Sequence, residues 1–213
     1  MKIEWEVRRD IVRYGKMLYE RKLTVGTSGN ISARVSDDAM VITPSGACKG
    51  MMREYDLVRM DILVGRVTSG GKPSMETPFH LEMYRCRKDV GAVVHCHPLF
   101  STILACAGEK LRSDLTPEGL MVLGAEVPLV PYATPGTEEL ARRLRETATK
   151  GNAFLLENHG AIAVGRDLGE AFYRMETLEF LAELQVRSAG PRDLRSLPKE
   201  EVDRILAIMA KEK

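Results

Sequence analysis

The sequence predicts an α/β protein in which a central, mainly antiparallel sheet lies between two helical layers. Three observations lead there. Amphipathic helical stretches alternate with short β-rich runs along the 213 residues. Many of those runs are joined by connections too short for the crossover that a parallel pair requires. Apolar residues make up 44% of the chain and charged residues 29%, enough apolar material for one buried core without disulfide or metal staples. No internal repeat and no Pro/Gly/Ser linker divides the chain, so residues 1–213 are expected to form a single domain.

Residues 4–22 set Val7, Ile11, Leu18 and Tyr19 among charges at helical spacing, which predicts an amphipathic helix. The small, polar run from Gly26 to Asn30 is a turn. Strands follow around residues 31–35 and 40–43, the second ended by Pro44-Ser45-Gly46. Residues 57–60 and 62–67 read as a hairpin with Gly65-Arg66 near its turn. Thr77 and Pro78 suit the N-cap and first position of a helix reaching about Lys88, with Glu76 just ahead of it. In the β-rich run 90–97, period 2 puts His95 and His97 on one face and Cys96 on the other. A helix is expected over 99–107, a strand over 127–132 closing on Thr134-Pro135-Gly136, and a second amphipathic helix over 140–147. Runs at 153–156 and 161–164 flank Asn158-His159-Gly160, a turn with His159 at its tip. Asp167 and Glu170 form a capping box opening a long helix with Leu168, Ala171, Met175, Leu178 and Ala182 on one side, a region that Pro191 ends. A last helix is expected over about 199–211.

The net charge of +1 offers no general attraction to a polyanion, so nucleic-acid binding is disfavoured. No apolar run is long enough to span a bilayer, and the first residues lack the apolar core of a signal peptide; the expectation is a cytoplasmic protein with no membrane partner. Four cysteines at irregular spacing, with no C-x-x-C pair, predict reduced thiols and no zinc ribbon.

Three of the four histidines, His95, His97 and His159, stand at strand ends or turns. An H-x-H on a strand supplies two imidazoles from one rigid element, and a distant hairpin can supply a third. Three such ligands leave one tetrahedral position open to a carboxylate, water or substrate, as at a catalytic zinc site. An H-x-H pair alone is more often ordinary sequence than a metal site. His80, four residues after Glu76, reads as a satisfied or surface histidine. Three clusters of small residues, Gly26–Asn30, Thr43–Gly46 and Pro73–Glu76, lack any Walker or dinucleotide pattern. Together they offer backbone N–H groups and the side chains of Thr27, Asn30, Ser45 and Ser74 to a phosphate, although such residues also simply make turns.

Taken in order, GTSGNIS, TPSG, Ser74-Met75-Glu76, HCHP, VPYATPGTEEL and ENHG resemble the class II aldolase and adducin-head superfamily, and within it most closely the L-fuculose-1-phosphate aldolases. The resemblance runs from about residue 8 to about 186. It implies a three-layer αβα fold, zinc or another divalent transition metal, a phosphorylated sugar substrate, and a homotetramer with sites between subunits. Carried over by position, it makes His95, His97 and His159 the metal ligands, with Glu76 as fourth ligand and general acid/base. The phosphate would rest on Gly29, Asn30, Ser45, Gly46 and Ser74, with Thr27 close by. The implied reaction is cleavage of a ketose 1-phosphate to dihydroxyacetone phosphate and a short aldehyde. A related dehydratase, 4-epimerase or decarboxylase, or a non-catalytic adducin-head-like domain, stands as the alternative. Two departures bear on the site. The family's Ser-Ser-Glu is Ser74-Met75-Glu76, in which Met75 keeps its backbone N–H but loses a hydroxyl. The tyrosines that resemblance would place near Glu118 and Glu212 are absent, and Glu118 is taken as the substitute proton carrier.

Overall fold

The computed structural model describes residues 3–188 and 194–211. Its strands are β1 (Asn30–Ser36), β2 (Ala39–Ile42), β3 (Val58–Asp61), β4 (Val67–Ser69), β5 (Ala92–Cys96), β6 (Leu129–Val130), β7 (Ala153–Leu156) and β8 (Gly160–Gly165). They form one sheet in the order β4-β3-β2-β1-β5-β8-β7-β6, antiparallel throughout except where β6 runs parallel to β7. The helices are α1 (Glu4–Glu20), α2 (Thr77–Cys86), α3 (Leu99–Ala107), α4 (Pro117–Leu123), α5 (Glu138–Thr147), α6 (Leu168–Ser188) and α7 (Lys199–Lys211).

Strand alternation divides the core in two. Ile31, Ala33, Val94 and Cys96 face α1, α3 and α6, where Ile11, Leu18, Leu104, Phe172 and Met175 cover them. Met40, Ile42, Val93 and Ile162 face α2 and α5, where Phe79, Tyr84, Leu140 and Leu144 cover them. This is the expected three-layer arrangement. His95, two residues after Val93, therefore projects on the α2 side.

Several elements differ in detail from the sequence expectation. In α1 the buried stripe is Val7, Ile11, Tyr14 and Leu18; Tyr19 lies outside it, its ring against Gly50. Residues 62–66 form a turn and not a strand, because Asp61 draws the chain back through its carboxylate to Val64 N (2.8 Å) and its carbonyl to Gly65 N (2.9 Å). Thr77 is the first residue of α2 and not its cap; its hydroxyl donates to Ser74 O at 2.6 Å, and Glu76 occupies the cap position. The strand at 127–132 shrinks to β6, since Pro128 and Pro131 on either side have no N–H to pair. Helix α4 has no counterpart in the sequence expectation, and there Thr116 and Pro117 supply the cap and first position: Thr116 Oγ1 accepts from Gly119 N at 3.0 Å. Asp167 caps α6 through Glu170 N at 2.9 Å, whereas the Glu170 carboxylate accepts from Arg166 N and not from Asp167. The expected stop at Pro191 and the position of Glu212 lie outside the described residues.

Candidate metal centre

The centre forms where β1, β5 and β8 end together. Asn30 pairs with His95 in the β1/β5 register, and Cys96 pairs with Ala161 in the β5/β8 register. His97 follows the last residue of β5. His159 closes the loop between β7 and β8, in which Asn158 adopts φ 53° at the exposed tip and His159 N donates to Leu156 O at 3.1 Å. Glu76 enters from the head of α2. Gly29 lets β1 come this close: a Cβ there would lie 2.6 Å from His95 O, and its φ of 73° favours glycine.

Metal-ligating atoms of His95, His97 and His159 all lie within 4.8 Å of one another. His95 Nε2 is 3.0 Å from His97 Nε2 and 3.1 Å from Glu76 Oε2, and His159 Nε2 is 3.2 Å from Glu76 Oε1. Ligands about 2.0–2.1 Å from one tetrahedral ion stand about 3.3–3.4 Å apart, so these spacings suit a single cation. Two further observations fit a cation among them. His95 Nδ1 donates to Ala161 O at 2.9 Å, which turns the bare lone pair of Nε2 toward the centre, the usual outer support of a ligating imidazole. Glu76 Oε1 is buried with no hydrogen-bond donor among the described residues, a costly state for a carboxylate oxygen unless positive charge faces it.

The electrostatics agree. Burial alone would raise the Glu76 carboxyl, but His95 and His159 outweigh it and hold the group well below the usual carboxylate range. Burial, reinforced by His95 and His159, pushes His97 down to about 3 and leaves a neutral imidazole, the form that binds metal. His80 is also pushed to about 3, by complete burial and then by His95. It is the satisfied histidine the sequence suggests, bonded through both ring nitrogens to Ser32 Oγ at 2.7 Å and Asn30 Oδ1 at 2.5 Å.

The three small-residue loops adjoin this centre and one another. Ser45 N donates to Lys72 O and Ser74 N to Thr43 O, both at 3.1 Å, so these two N–H groups join the loops. The N–H groups of Gly29, Gly46 and Met75 make no hydrogen bond within the described residues. Thr27, Ser45, Gly46 and Met75 are exposed, Gly29 half-buried, and Ser74 buried with its Oγ accepting from Glu76 N at 3.3 Å. Asn30 is buried, and its Nδ2 donates to Glu76 Oε2 at 2.8 Å, so part of this amide serves the carboxylate. Sequence reasoning missed Lys49. Its side chain is 2% exposed, with Nζ donating to Thr27 O at 3.0 Å and Ala47 O at 2.5 Å, and it ties the first two loops together. Burial lowers its ammonium from the ordinary value, opposed by Cys96, Cys48 and Glu76. Glu118 stands apart, exposed on the first turn of α4, its carboxylate with no hydrogen bond or ion pair within the described residues.

Comparison with known proteins matches residues 9–186 to the class II aldolase and adducin N-terminal domain model. The chain is 38% identical to 3-oxo-tetronate 4-phosphate decarboxylase of Escherichia coli O6:H1 over 206 residues, covering 94% of this chain and 95% of the relative. It is 36% identical to L-fuculose phosphate aldolase of Methanocaldococcus jannaschii over 178 residues, covering 83% and 94%. The crystal structure of Escherichia coli YgbL, described as an aldolase, epimerase or decarboxylase, superposes with a TM-score of 0.89 at 36% identity, covering 96% of this chain and 99% of that one. No helix among the described residues is long and apolar enough to cross a membrane. With ordered motifs, fold and clustered histidines all in agreement, this chain belongs to the class II aldolase and adducin N-terminal domain family.

Proposed function

We propose that the protein is a divalent-metal lyase that breaks a carbon–carbon bond beside the carbonyl of a phosphorylated sugar derivative, and that its reaction is the decarboxylation of a phosphorylated 3-oxo sugar acid. His95, His97, His159 and Glu76 would hold the ion, zinc first among the candidates given imidazole and carboxylate donors. When bound, it supplies Lewis acidity to adjacent carbonyl and hydroxyl oxygens of the substrate. The N–H groups of Gly29, Gly46 and Met75, with the hydroxyls of Thr27, Ser45 and Ser74, receive the phosphate, and Lys49 keeps two of the loops in place.

The observation that carries the choice of reaction is that, among the described residues, Glu76 is the one carboxylate paired with the clustered histidines. In a 3-oxo-tetronate 4-phosphate the C1–C2 bond breaks, carbon dioxide leaves unaided, and the electron pair passes into the enediolate spanning C2 and C3. One proton, taken from solvent by Glu76 and delivered to C2, completes dihydroxyacetone phosphate. The 38% identity to a decarboxylase of that substrate supports the same reading.

Aldol cleavage of a ketose 1-phosphate such as L-fuculose 1-phosphate is the second reading, favoured by the 36% identity to an L-fuculose phosphate aldolase. It passes through the same enediolate but needs a second group to take the hydroxyl proton on the aldehyde side. Glu118 could serve only if a neighbouring copy in a homotetramer brought it to this centre. Offering 3-oxo-tetronate 4-phosphate and L-fuculose 1-phosphate to zinc-loaded protein separates the readings. Carbon dioxide with triose phosphate from the first selects decarboxylation, free aldehyde from the second selects aldol cleavage, and neither product from either compound overturns both.

A further inference from the structure

We propose that His80 is a positioning residue which, through Asn30, fixes the Glu76 carboxylate at the metal centre. The inference rests on Glu76 being a ligand of that centre, and the experiment below reads that premise separately.

The arrangement begins in two periodicities. Asn30 and Ser32 share one face of β1, spaced two residues apart; His80 and Tyr84 share one face of α2, spaced four apart, and Glu76 at its cap precedes His80 by the same four. Two strand residues advance about 6.7 Å and four helical residues about 6 Å. The two polar rows therefore stay in step along the contact between β1 and α2. They interleave as Glu76, Asn30, His80, Ser32 and Tyr84, with links of 2.8, 2.5, 2.7 and 2.8 Å.

The polarity of this chain follows from its first member. An ionised carboxylate only accepts, so Asn30 must turn its NH2 to Glu76, and its Oδ1 then faces His80. Two acceptors cannot meet at 2.5 Å, so the His80 Nε2 carries the proton and donates to Asn30. His80 Nδ1 is then bare and accepts from the Ser32 hydroxyl, and Ser32 in turn accepts from the Tyr84 phenol. With His80 in the other tautomer, the Asn30 amide would reverse and set its oxygen against the carboxylate. Asn30 is 3% exposed, and Ser32, His80 and Tyr84 are fully buried, so water cannot replace a missing partner.

Among the described residues Asn30 Nδ2 is the hydrogen-bond donor to Glu76 Oε2, at 2.8 Å, and Oε1 has none; His95 brings its bare Nε2 to within 3.1 Å of Oε2. The direction in which the amide faces thus decides where the carboxylate sits relative to the imidazoles. Outer partners of this kind commonly change metal affinity 10- to 100-fold, on the order of what is expected here.

The test uses the full chain loaded with Co2+, whose visible absorption reports the ligand set. His80→Phe removes the donor to Asn30 and should weaken Co2+ binding about 10-fold or more, moving the spectrum toward that of Glu76→Gln. His80→Gln, which can still donate to Asn30, should recover most of the affinity. Tyr84→Phe breaks the far end and should lower the melting temperature of metal-free protein while leaving Co2+ affinity unchanged. Asn30→Asp, which sets an acceptor against Glu76, gives an independent route to the same weakening should His80→Phe fail to fold. Wild-type Co2+ affinity and spectrum in folded His80→Phe or Asn30→Asp overturn the relay even if turnover falls. A spectrum unmoved by Glu76→Gln overturns the ligand role beneath it.

Discussion

At the end of β1, β5 and β8 where Asn30, His95 and Gly160 gather, imidazole nitrogens and a carboxylate converge. At the opposite end, near Arg34, Gly91 and Gly165, arginines close over backbone carbonyls instead. Arg34 reaches Val90 O, Asp37 O and Tyr84 O at 2.8–3.2 Å. Arg174 reaches Val164 O at 2.6 Å and Val122 O at 3.2 Å, with Glu170 Oε1 at 2.8 Å. Each guanidinium distributes a fixed fork of donors over acceptors that would otherwise be stranded. The same three strands thus end in two opposite electrostatic arrangements. One end has its donors and acceptors matched and serves stability. The other gathers His95 Nε2 and His97 Nε2, 3.0 Å apart, beside a Glu76 Oε1 with no hydrogen-bond donor among the described residues, a set that could hold a cation.

The largest expected effect breaks the second arrangement. His159→Ala should lower metal affinity and turnover together by more than about 100-fold, because two imidazoles and one carboxylate leave a catalytic ion poorly held. Its Nδ1 has no hydrogen-bond partner among the described residues, and the residue sits on a loop, so its removal should shift the melting temperature of metal-free protein by no more than about 2 °C. Metal content by emission spectroscopy, turnover and calorimetry on one preparation check all three. A metal-replete, active His159→Ala would show that the convergence of lone pairs has no functional meaning.

Much of this contrast was legible in the sequence, and unevenly so. Period 2 at His95 and His97 and the turn at Asn158-His159-Gly160 declare themselves within a few residues, so the three histidines could be singled out from local signals, whereas Glu76 joined them only through the family resemblance. The relay could not, because Asn30 and His80 lie 50 residues apart and their meeting depends on how β1 and α2 pack. Read alone, His80 is a satisfied or surface histidine and not a ligand. Lys49 looks like any loop lysine until the fold encloses it. Helix α4 is short and contains Gly119, which is there because a Cβ would meet Ser113 O at 2.4 Å; packing, and not helical propensity, selects that residue. The far-end arginines leave no sequence signature, since a carbonyl acceptor exists at every position.

An intermediate effect sharpens the comparison within the functional end. Lys49→Met keeps the length of the side chain and removes the ammonium that holds Thr27 O and Ala47 O. If its loops receive the phosphate, KM for the phosphorylated substrate and the dissociation constant for inorganic phosphate should both rise about 10-fold, the equivalent of one charge-assisted hydrogen bond. Metal content should not change, because Lys49 touches no ligand of the centre. Titration calorimetry with phosphate gives the result directly, and unaltered phosphate binding would remove these loops from substrate recognition.

The smallest expected effect on catalysis belongs to the matched end. Arg174→Met retains the apolar stem but leaves Val164 O and Val122 O without their donor, and Glu170 with only its bonds to Arg166. Buried carbonyls stripped of a partner cost about 1–3 kcal/mol, so the midpoint of urea unfolding should fall by a measurable step. Val164 lies on β8 four residues past Gly160, so the loss is confined to the end of the strand remote from His159. Turnover and metal affinity should therefore stay at wild-type values. If Arg174→Met lowered metal affinity as well, the two ends would be coupled through β8, and the division between a matched and an unmatched end of the sheet would have to be abandoned.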